Sequence, residues 1–428
     1  MRLVALLPWF LVSTLLPACG GAGNESVGSD ATTGTSTGTT EVTTDAMTNV
    51  TIGVTTSVTT SVTTTADQPT GPDASTGSAG STAEPEPPAP EVLYVLEDIV
   101  FYDGYAGTVD EPVPPGVIRH SNALNAIKFT DEQLAKIQDT LQIGVIVEAL
   151  CDNYDRIGSV NLALVPKGAA TYVPAEVQRI ELARFITPFM NMNKEPRTVP
   201  YQWDADNVVA ILKDEDLRAE YDYWFELFIF GVPYAANTEV PGCADRNDTQ
   251  LGTLLLHTDS TKEPELFTTL LPLAISEPFN NYTEGATDML GLTRKTIEFT
   301  LPEDTQAAQL VLITSNHGAN AGGEEYIRRL HNVYVDEQLV LQYTPGRTSC
   351  EPFRMYNTQG NGIYGGSPMT DEQWQSFSNW CPGDIIDTRI VPLGPVSAGV
   401  HEFVIDVPQA AFTGGQGDFP FSLYVQAQ

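Results

Sequence analysis

Basic residues are scarce in this chain of 428 residues. Its 21 Lys and Arg residues compare with 55 Asp and Glu residues, which gives a formal net charge of −34 at pH 7. Proteins that bind nucleic acids neutralise phosphates with Lys and Arg, so this balance excludes a nucleic-acid-binding protein. It also argues against contact between the folded part of the chain and anionic lipid. An acidic surface is common in exported proteins and does not by itself indicate a substrate.

Potential metal ligands are also few. The chain has five His and five Cys residues, with no C-x-x-C motif and no closely spaced histidine pair of the kind that binds zinc. We therefore expect no metal and no cofactor. Apart from Cys19, the cysteines are even in number, as expected for disulfides in an oxidising compartment. We predict a Cys350–Cys381 disulfide that closes a long loop, and a Cys151–Cys243 pair follows by elimination.

The first residues have the pattern of a short export signal. Met1-Arg2 is followed by an apolar run over residues 3–17, and L-P-A-C occupies residues 16–19. Such a run is too short to be read as a spanning helix. Because its ending resembles a bacterial lipobox, we predict a signal peptide over 1–18 and a lipidated Cys19 that anchors the protein through lipid alone. Gly20 in place of Asp favours the outer membrane or cell surface, and an ordinary signal peptide is the alternative.

Residues 19–91 have the composition of a tether. They are dominated by Thr, Ser, Gly and Pro, contain repeats such as V-T-T-S-V-T-T-S, and have no Lys or Arg before Glu91. Such a segment cannot bury enough apolar area to offset its chain entropy, so we predict disorder. Its end, E-P-E-P-P-A-P, should be stiff and extended.

The rest of the chain is too long for one ordinary core, so we predict two domains. A Pro-rich and turn-rich stretch over 231–249 suggests domains at 92–240 and 241–428. Short alternating or β-branched runs bounded by Gly, Pro, Asn and Asp predict an all-β fold of sandwiches or jelly rolls. The predicted strands are Val92–Phe101, Gly144–Glu148, Ser159–Val165, Arg179–Phe185, Tyr223–Phe230, Thr296–Leu301, Gln309–Thr314, Asn332–Asp336, Gln338–Tyr343, Gly399–Val407 and Phe419–Val425. T-D-E-Q at 130 and at 370 predicts two capped short helices.

Two groups of carboxylates are candidates for chemistry. Asp155 precedes Arg156, and Glu324-Glu325 lies in a Gly-rich loop. Two acids held in one cleft have their pKa values pushed apart, which lets one activate water while the other donates a proton. Surface salt bridges and solvated loop acids are the alternatives. Aromatic residues that could stack against sugar rings are Trp380, Trp224 and Tyr326. These residues by themselves indicate an exported two-domain β protein that acts on saccharides.

Five segments occur in an order typical of one family. They are C-D-N-Y-D-R-I-G-S-V, R-F-I-T-P-F, the Trp-ended strand Leu217–Trp224, E-E-Y-I-R-R-L-H and N-W-C-P-G. Together they resemble the bacterial peptide-N-glycosidase F family, exported amidases that release N-linked glycans from asparagine. The resemblance covers roughly residues 96–425. It implies two adjacent antiparallel eight-stranded jelly-roll domains with the active cleft between them, and N-glycosylated proteins or glycopeptides as partners.

The resemblance also implies roles for individual residues. Asp155 would act at the scissile C–N bond, Arg156 would hold Asp155 or the amide carbonyl, and Glu325 would act through water. The residues implied to bind substrate are Asp222, Trp224, Trp380 and Tyr154.

Phe377 departs from the family, which has an Arg in that loop. This departure leaves a non-catalytic glycan-binding or structural lipoprotein as the alternative. A copper monooxygenase of the same jelly-roll pair is a more distant third, because the five histidines contain no H-x-H pair.

Overall fold

The structure is a computed structural model that describes residues 2–3, 88–263, 267–278, 293–318, 324–360, 363–376, 379–410 and 419–428. The signal peptide beyond residue 3, the tether up to residue 87, Cys19 and Phe377 lie outside the described residues. What the sequence predicts for them stays a prediction.

The described residues form mainly short strands. In chain order these are β1 (Arg2–Leu3), β2 (Glu91–Tyr102), β3 (Val117–Ser121), β4 (Leu124–Lys128), β5 (Gln142–Ala149), β6 (Ile157–Pro166), β7 (Gln178–Ile186), β8 (Thr198–Asp204), β9 (Tyr221–Ile229), β10 (Asp248–Thr258), β11 (Thr269–Pro278), β12 (Arg294–Leu301), β13 (Thr305–Thr314), β14 (His331–Val335), β15 (Gln338–Tyr343), β16 (Ile385–Ile386), β17 (Arg389–Val396), β18 (Gly399–Asp406) and β19 (Pro420–Ala427). The helices are α1 (Asp131–Leu134), α2 (Asp206–Lys213), α3 (Glu215–Glu220), α4 (Ala236–Glu239) and α5 (Asp371–Gln375). Two 3₁₀ turns cover Pro174–Glu176 and Glu351–Tyr356.

The N-terminal part is a sandwich of two antiparallel sheets. One has the strand order β2-β10-β5-β8, and the other has the order β16-β7-β6-β9-β4-β3. Successive side chains of a strand point to opposite faces, and β9 shows the consequence. Tyr223, Phe225 and Leu227 pack in the core between the sheets, whereas Trp224 packs in a small separate cluster on the other face.

The C-terminal part is a second sandwich. Its sheets have the orders β1-β11-β19-β13-β17 and β12-β18-β14-β15. Only β1 pairs in parallel among the described strands, with Arg2 opposite Thr269. Phe299, Phe403 and Phe421 are fully buried in its core.

The all-β fold of two sandwiches is therefore confirmed, and every strand that the sequence predicts is present. The predicted domain boundary near residue 240 differs from the observed topology. β10 lies between β2 and β5, so the N-terminal sandwich continues to Thr258, and the later β16 adds an edge strand to it. The turn-rich stretch before β10 is a connection within that sandwich.

Both predicted capping boxes are present. The Thr130 and Thr370 side chains accept the backbone N–H groups of Gln133 and Gln373, whose side chains bond back to the cap residues. The segment Leu217–Trp224 is not a strand throughout, because its first four residues belong to α3. The strand begins at Tyr221.

The two sandwiches meet around a buried arginine of β7. The Arg184 side chain is inaccessible to solvent and forms a two-point ion pair with Glu181, with N–O distances of 2.7 Å. Its Nη1 donates to Ser315 Oγ and to the Pro420 carbonyl, both at 2.8 Å, in the C-terminal sandwich. Ser422 Oγ donates to the Glu181 carboxylate. An ion pair of the first sandwich is thus completed by polar groups of the second.

Candidate active site

Asp155 lies in the short loop that leads into β6, and Thr187 holds this loop on both sides of it. The Arg156 N–H donates to Thr187 Oγ1 at 2.8 Å, and this hydroxyl donates to the Tyr154 carbonyl at 3.3 Å. The Thr187 N–H donates to the Arg156 carbonyl at 2.7 Å. Thr187 belongs to the R-F-I-T-P segment, so one sequence motif fixes the backbone of the other.

Asp152 anchors the side chain of Arg156. Asp152 Oδ2 accepts from Arg156 Nε at 2.7 Å and from the Val232 N–H at 2.7 Å, while Oδ1 accepts from the Tyr154 N–H at 3.0 Å. Arg156 Nη2 also donates to the Val232 carbonyl at 3.4 Å. The guanidinium is therefore held by Asp152, although the sequence suggested Asp155 or a substrate carbonyl as its partner.

Glu325 approaches from the C-terminal sandwich. Its Oε2 accepts from the Gly318 N–H at 3.0 Å, and its own N–H donates to the Gly318 carbonyl at 3.3 Å. The N-W-C-P-G segment fixes this arrangement, because the Asn379 amide donates to the Glu325 carbonyl and Trp380 Nε1 donates to the Asn316 carbonyl at 2.9 Å. Glu325 is thus placed by hydrogen bonds from two separate loops.

Asp155 and Glu325 interact electrostatically across the two sandwiches. Burial first, and the charge of Glu325 second, raise the pKa of Asp155 well above its usual range, and Arg156 only partly offsets this. Burial also raises the pKa of Glu325. Asp155 Oδ2 is inaccessible to solvent and has no hydrogen-bond partner among the described residues. A buried carboxylate with an unused oxygen is unusual in a structural role.

Tyr326 also belongs to this site. Its phenol hydrogen-bonds the Glu325 carboxylate, which lowers the pKa of Glu325 against the larger effect of burial. Burial, then Asp155, then Glu325 raise the pKa of Tyr326, so the phenol stays protonated and serves as a donor. Its ring centroid is 6.4 Å from that of Trp380. The sequence suggested Tyr326 only as a residue that stacks against sugars.

The other polar residues of the loop have structural partners. Glu324 is fully buried and forms a two-point ion pair with Arg329, with N–O distances of 2.7 and 3.0 Å. Burial, and then Arg184, lower the pKa of His317 to about 3, and its Nε2 lies 2.8 Å from Ser315 Oγ. His317 is therefore neutral at physiological pH and cannot bring a charge to the site.

The structure does not bring Asp222 to Asp155. Asp222 pairs with Val165 along β9 and β6, whereas the strand end next to Asp155 has Gly158 opposite Ile229. Seven residues of extended strand separate these positions by roughly 23 Å. Asp222 instead accepts from Lys128 Nζ at 2.6 Å and from Lys167 Nζ at 3.0 Å. The expectation that Asp222 binds the first sugar is thus corrected by the strand register.

The tryptophans expected to bind sugar are buried. Trp380 is 4 % exposed and packs with Ile186 and Ile313. Trp224 is also 4 % exposed, and its ring lies 5.5 Å from that of Tyr172 on the outer face of the sheet. Tyr154 is partly exposed, with the Arg156 guanidinium 5.4 Å from its ring centroid. Of these aromatic residues, only Tyr154 offers ring surface near Asp155.

Both disulfides named from the sequence occur in the structure. Cys151–Cys243 and Cys350–Cys381 each have a Cα–Cα distance of 5.4 Å, which suits an unstrained disulfide. The first fixes the residues before Asp152, and the second closes the loop that ends in Trp380. Each disulfide thus supports one side of the site.

Family models match most of the folded chain. Residues 92–244 match the model "Peptide-N-glycosidase F, N terminal", and residues 287–426 match "Peptide-N-glycosidase F, C terminal". The chain belongs to the peptide-N-glycosidase F family. No curated protein sequence matches this chain significantly.

Solved structures of peptide-N-glycosidase F proteins are similar to this fold. PNGF-II has a TM-score of 0.56 and 20 % identity, and the match covers 79 % of this chain and 66 % of that one. Recombinant peptide:N-glycanase F has a TM-score of 0.48 and 15 % identity, with 79 % and 95 % covered. PNGase F of Flavobacterium meningosepticum, described as a glycosylasparaginase, has a TM-score of 0.47 and 15 % identity, with 80 % and 96 % covered.

Three of the four residues that sequence reasoning missed lie inside the segments that resemble the peptide-N-glycosidase F family. Asp152 and Thr187 fix the geometry of Asp155 and Arg156, and Asn316 and Asn379 fix the loop of Glu325. Asn316 is buried, and its side-chain amide has no hydrogen-bond partner within the described ranges. The signal for Asp152, Thr187 and Asn379 was their position in the shared segments, and Asn316 lies outside those segments.

In the described part of the chain, no group of three or more His, Cys, Asp and Glu residues could hold a metal ion. No helix among these residues is long and apolar enough to cross a membrane.

Proposed function

We propose that this protein is an exported glycoamidase that hydrolyses the amide between asparagine and the first N-acetylglucosamine of N-linked glycans. The observation that carries the proposal is the coupling of Asp155 and Glu325, one from each sandwich, in a buried site. Membership of the peptide-N-glycosidase F family supports the reaction class.

The two acids divide the proton transfers. Burial and the charge of Glu325 raise the pKa of Asp155 well above that of a free carboxyl. Asp155 therefore keeps its proton while Glu325 ionises. Glu325 takes a proton from water, and the water oxygen bonds to the amide carbon. The C–N bond breaks as Asp155 gives its proton to the departing nitrogen. The products are an aspartate in the peptide and a glycosylamine.

Arg156 is available to polarise the amide carbonyl. Its side-chain hydrogen bonds within the described ranges come from Nε and Nη2, which donate to Asp152 and to the Val232 carbonyl, and this leaves Nη1 for the substrate. A fixed cation next to the reacting carbonyl stabilises the negative charge that develops on its oxygen. Asp152 therefore orients the group, and Nη1 contacts the substrate.

Release of glycan from a denatured high-mannose glycoprotein tests this proposal. We expect the purified full-length protein to free the intact glycan and to convert the glycosylated Asn into Asp, which mass spectrometry of the peptide detects. Asp155→Asn is the control for contaminating enzymes. Equal release by both proteins, or none by either, would contradict the proposal. Glycopeptide binding without release would instead support the non-catalytic alternative that Phe377 suggests.

We further propose that the chain is a lipoprotein anchored to the outer membrane or cell surface through Cys19. The L-P-A-C motif and the tether composition support this. Wild-type protein should incorporate labelled palmitate in a bacterial host and fractionate with membranes. Cys19→Ser should abolish both properties, and labelled Cys19→Ser protein would contradict the proposal.

A further inference from the structure

Two exposed tyrosines lie beside the candidate active site. Tyr105 is 71 % exposed and Tyr234 is 60 % exposed. Their ring centroids are 6.5 Å apart and their planes differ by only 20°. Large aromatic side chains exposed together on a soluble protein are typical of a binding surface. Neither residue has a part in the mechanism described above.

The turn that carries Tyr105 is fixed in place. The Tyr105 N–H donates to Asp103 Oδ1 at 3.0 Å, and the Asp103 N–H donates to the Asn247 carbonyl at 2.9 Å. The Tyr105 ring meets Phe230 edge to face, with centroids 5.1 Å apart. One edge of Tyr105 is therefore packed against the protein while most of its ring faces solvent.

Glycines bring the two tyrosine-bearing turns together. The Gly104 N–H donates to the Gly231 carbonyl at 2.9 Å. A Cβ atom at Gly104 would lie 2.5 Å from the Phe230 ring, and one at Gly231 would lie 2.4 Å from Thr249 Oγ1. Because both distances are far below a normal contact, a side chain at either position would force the Phe230 ring or Thr249 to move. The two glycines therefore support the close approach of the turns that carry the tyrosines.

The same turns are joined to Arg156. Val232, two residues before Tyr234, donates its N–H to Asp152 and accepts from Arg156 through its carbonyl. Burial alone would lower the pKa of Arg156, but Asp152, then Asp155, then Tyr105 raise it. Val232 therefore joins the Tyr234 turn by hydrogen bonds to the group that would polarise the scissile carbonyl, and the Tyr105 phenol lies close enough to act on the charge of that group.

We propose that Tyr105 and Tyr234 form a saccharide subsite that binds a pyranose ring of the glycan beyond the scissile bond. This inference rests on the proposed glycoamidase function. A pyranose presents an apolar face of C–H groups, which packs against an aromatic face, and its hydroxyls can bond the two phenols. Tyrosine provides this rigid, amphipathic contact area with little loss of side-chain entropy. The subsite also supplies the aromatic surface that buried Trp380 and Trp224 do not offer.

A binding experiment in the inactive Asp155→Asn full-length protein tests the subsite. The probe is a free high-mannose oligosaccharide with its reducing-end chitobiose, titrated by calorimetry. Tyr105→Ala and Tyr234→Ala should each weaken binding about three- to tenfold. Tyr105→Trp keeps an aromatic ring at this position and should bind the oligosaccharide as the parent does. Tyr94→Ala is the matched control and should bind as the parent does, because Tyr94 is also exposed but lies roughly 26 Å along β2 from Tyr102.

Two results would overturn the subsite. One is unchanged oligosaccharide affinity in both alanine variants, with unchanged melting temperatures that show intact folding. The other is weaker binding of a glycan-free peptide by the same alanine variants, which would assign the tyrosines to the peptide part of the substrate. Because oligosaccharide binding is measured in the inactive protein, the result for the subsite does not depend on whether the proposed hydrolysis occurs. Tyrosine-dependent saccharide binding without glycan release would sustain the subsite and contradict the glycoamidase.

Discussion

Glu181 and Asp155 are both buried acids near the junction of the sandwiches, and their surroundings differ sharply. Both Glu181 oxygens bond to Arg184, and one also accepts from Ser422. Asp155 Oδ2 has no partner among the described residues, and the nearby charge of Glu325 raises its pKa further. A buried charge whose hydrogen bonds are all paired can join structural elements. A buried carboxylate that lacks a partner destabilises the fold, and such groups are typical of catalytic sites.

The same contrast separates two adjacent residues of one loop. Glu324 is neutralised by Arg329, whereas the hydrogen bonds that Glu325 accepts within the described ranges come from neutral donors, the Gly318 N–H and the Tyr326 phenol. Composition alone cannot distinguish the two glutamates. Their hydrogen-bond partners distinguish them. Each of the following variants tests whether an ion-pair partner distinguishes a structural acid from a catalytic acid.

The largest expected effect is on activity, in a comparison of Glu325→Gln with Asp222→Asn. Glu325→Gln removes the base that activates water, and should lower kcat/KM for glycopeptide about 10²- to 10⁴-fold. Asp222→Asn changes an acid held by two lysines at the far end of β9, and should leave kcat/KM within about twofold. A large loss in Asp222→Asn would show that this acid reaches the substrate after all.

The second effect is on stability. Glu181→Gln leaves the charge of Arg184 buried without its partner, which should lower the free energy of unfolding by about 3–5 kcal/mol. Urea unfolding measures it. Glu132→Gln is the control, because Glu132 and Lys136 form an exposed pair at 3.6 Å worth at most about 0.5 kcal/mol. A loss below about 1 kcal/mol in Glu181→Gln would mean that serines and carbonyls alone can hold Arg184.

Three of the eight strands that the sequence missed share a physical cause. These three strands, β8, β11 and β17, contain Pro200, Pro272 and Pro392, and proline within a run argues against a strand because it lacks an N–H donor. β8 and β17 are edge strands of their sheets, where a missing donor can face away from the ladder. Edge position depends on the whole sheet, so a local pattern could not reveal it.

Only part of the candidate site could be predicted from the sequence. Motif order pointed to Asp155, Arg156 and Glu325, and the structure brings these three together. The same motif matching assigned Asp222 by its distance from Trp224, and this failed because strand register decides which end of β9 meets the site. The burial of Trp380 was equally out of reach, because it depends on packing against Ile313 of a distant strand.

The third effect is a shift in the pH profile of Tyr326→Phe. A hydrogen bond to a charged group contributes about 1.5–3 kcal/mol, so its loss should lower kcat/KM about 10- to 100-fold. The Tyr326 bond lowers the pKa of Glu325. Without it this pKa rises, and the acidic limb of the profile should move to higher pH.

Tyr223→Phe is the control for this variant. The Tyr223 hydroxyl donates to the Ile211 carbonyl at 2.6 Å in the core of the N-terminal sandwich. Its loss removes a buried phenol bond of similar kind without touching Glu325, so stability should fall and the pH profile should stay in place. An unshifted profile in Tyr326→Phe would assign Tyr326 to packing alone.

The smallest expected effect is a gain of stability in Asp155→Asn. Because the folded-state pKa of Asp155 is raised, wild-type stability is complete below the unfolded pKa of about 3.9 and falls as pH rises through the folded pKa. Asn carries no charge and avoids this loss. Asp155→Asn should therefore be more stable by about 0.5–2 kcal/mol at pH 8, and equal to wild type near the acidic end of the range. Urea unfolding at both pH values measures the difference.

Asp222→Asn should show the opposite sign in the same experiment. Burial alone would raise the pKa of Asp222, but hydrogen bonds from Lys128, the Gly168 N–H and Lys167 lower it. A lowered pKa contributes stability above the unfolded value that is lost as pH falls through the folded one. At pH 8 Asp222→Asn should therefore be less stable than wild type while Asp155→Asn is more stable. If both variants lose stability at pH 8, Asp155 is a paired structural acid like Glu181. The distinction between these two buried acids would then be wrong.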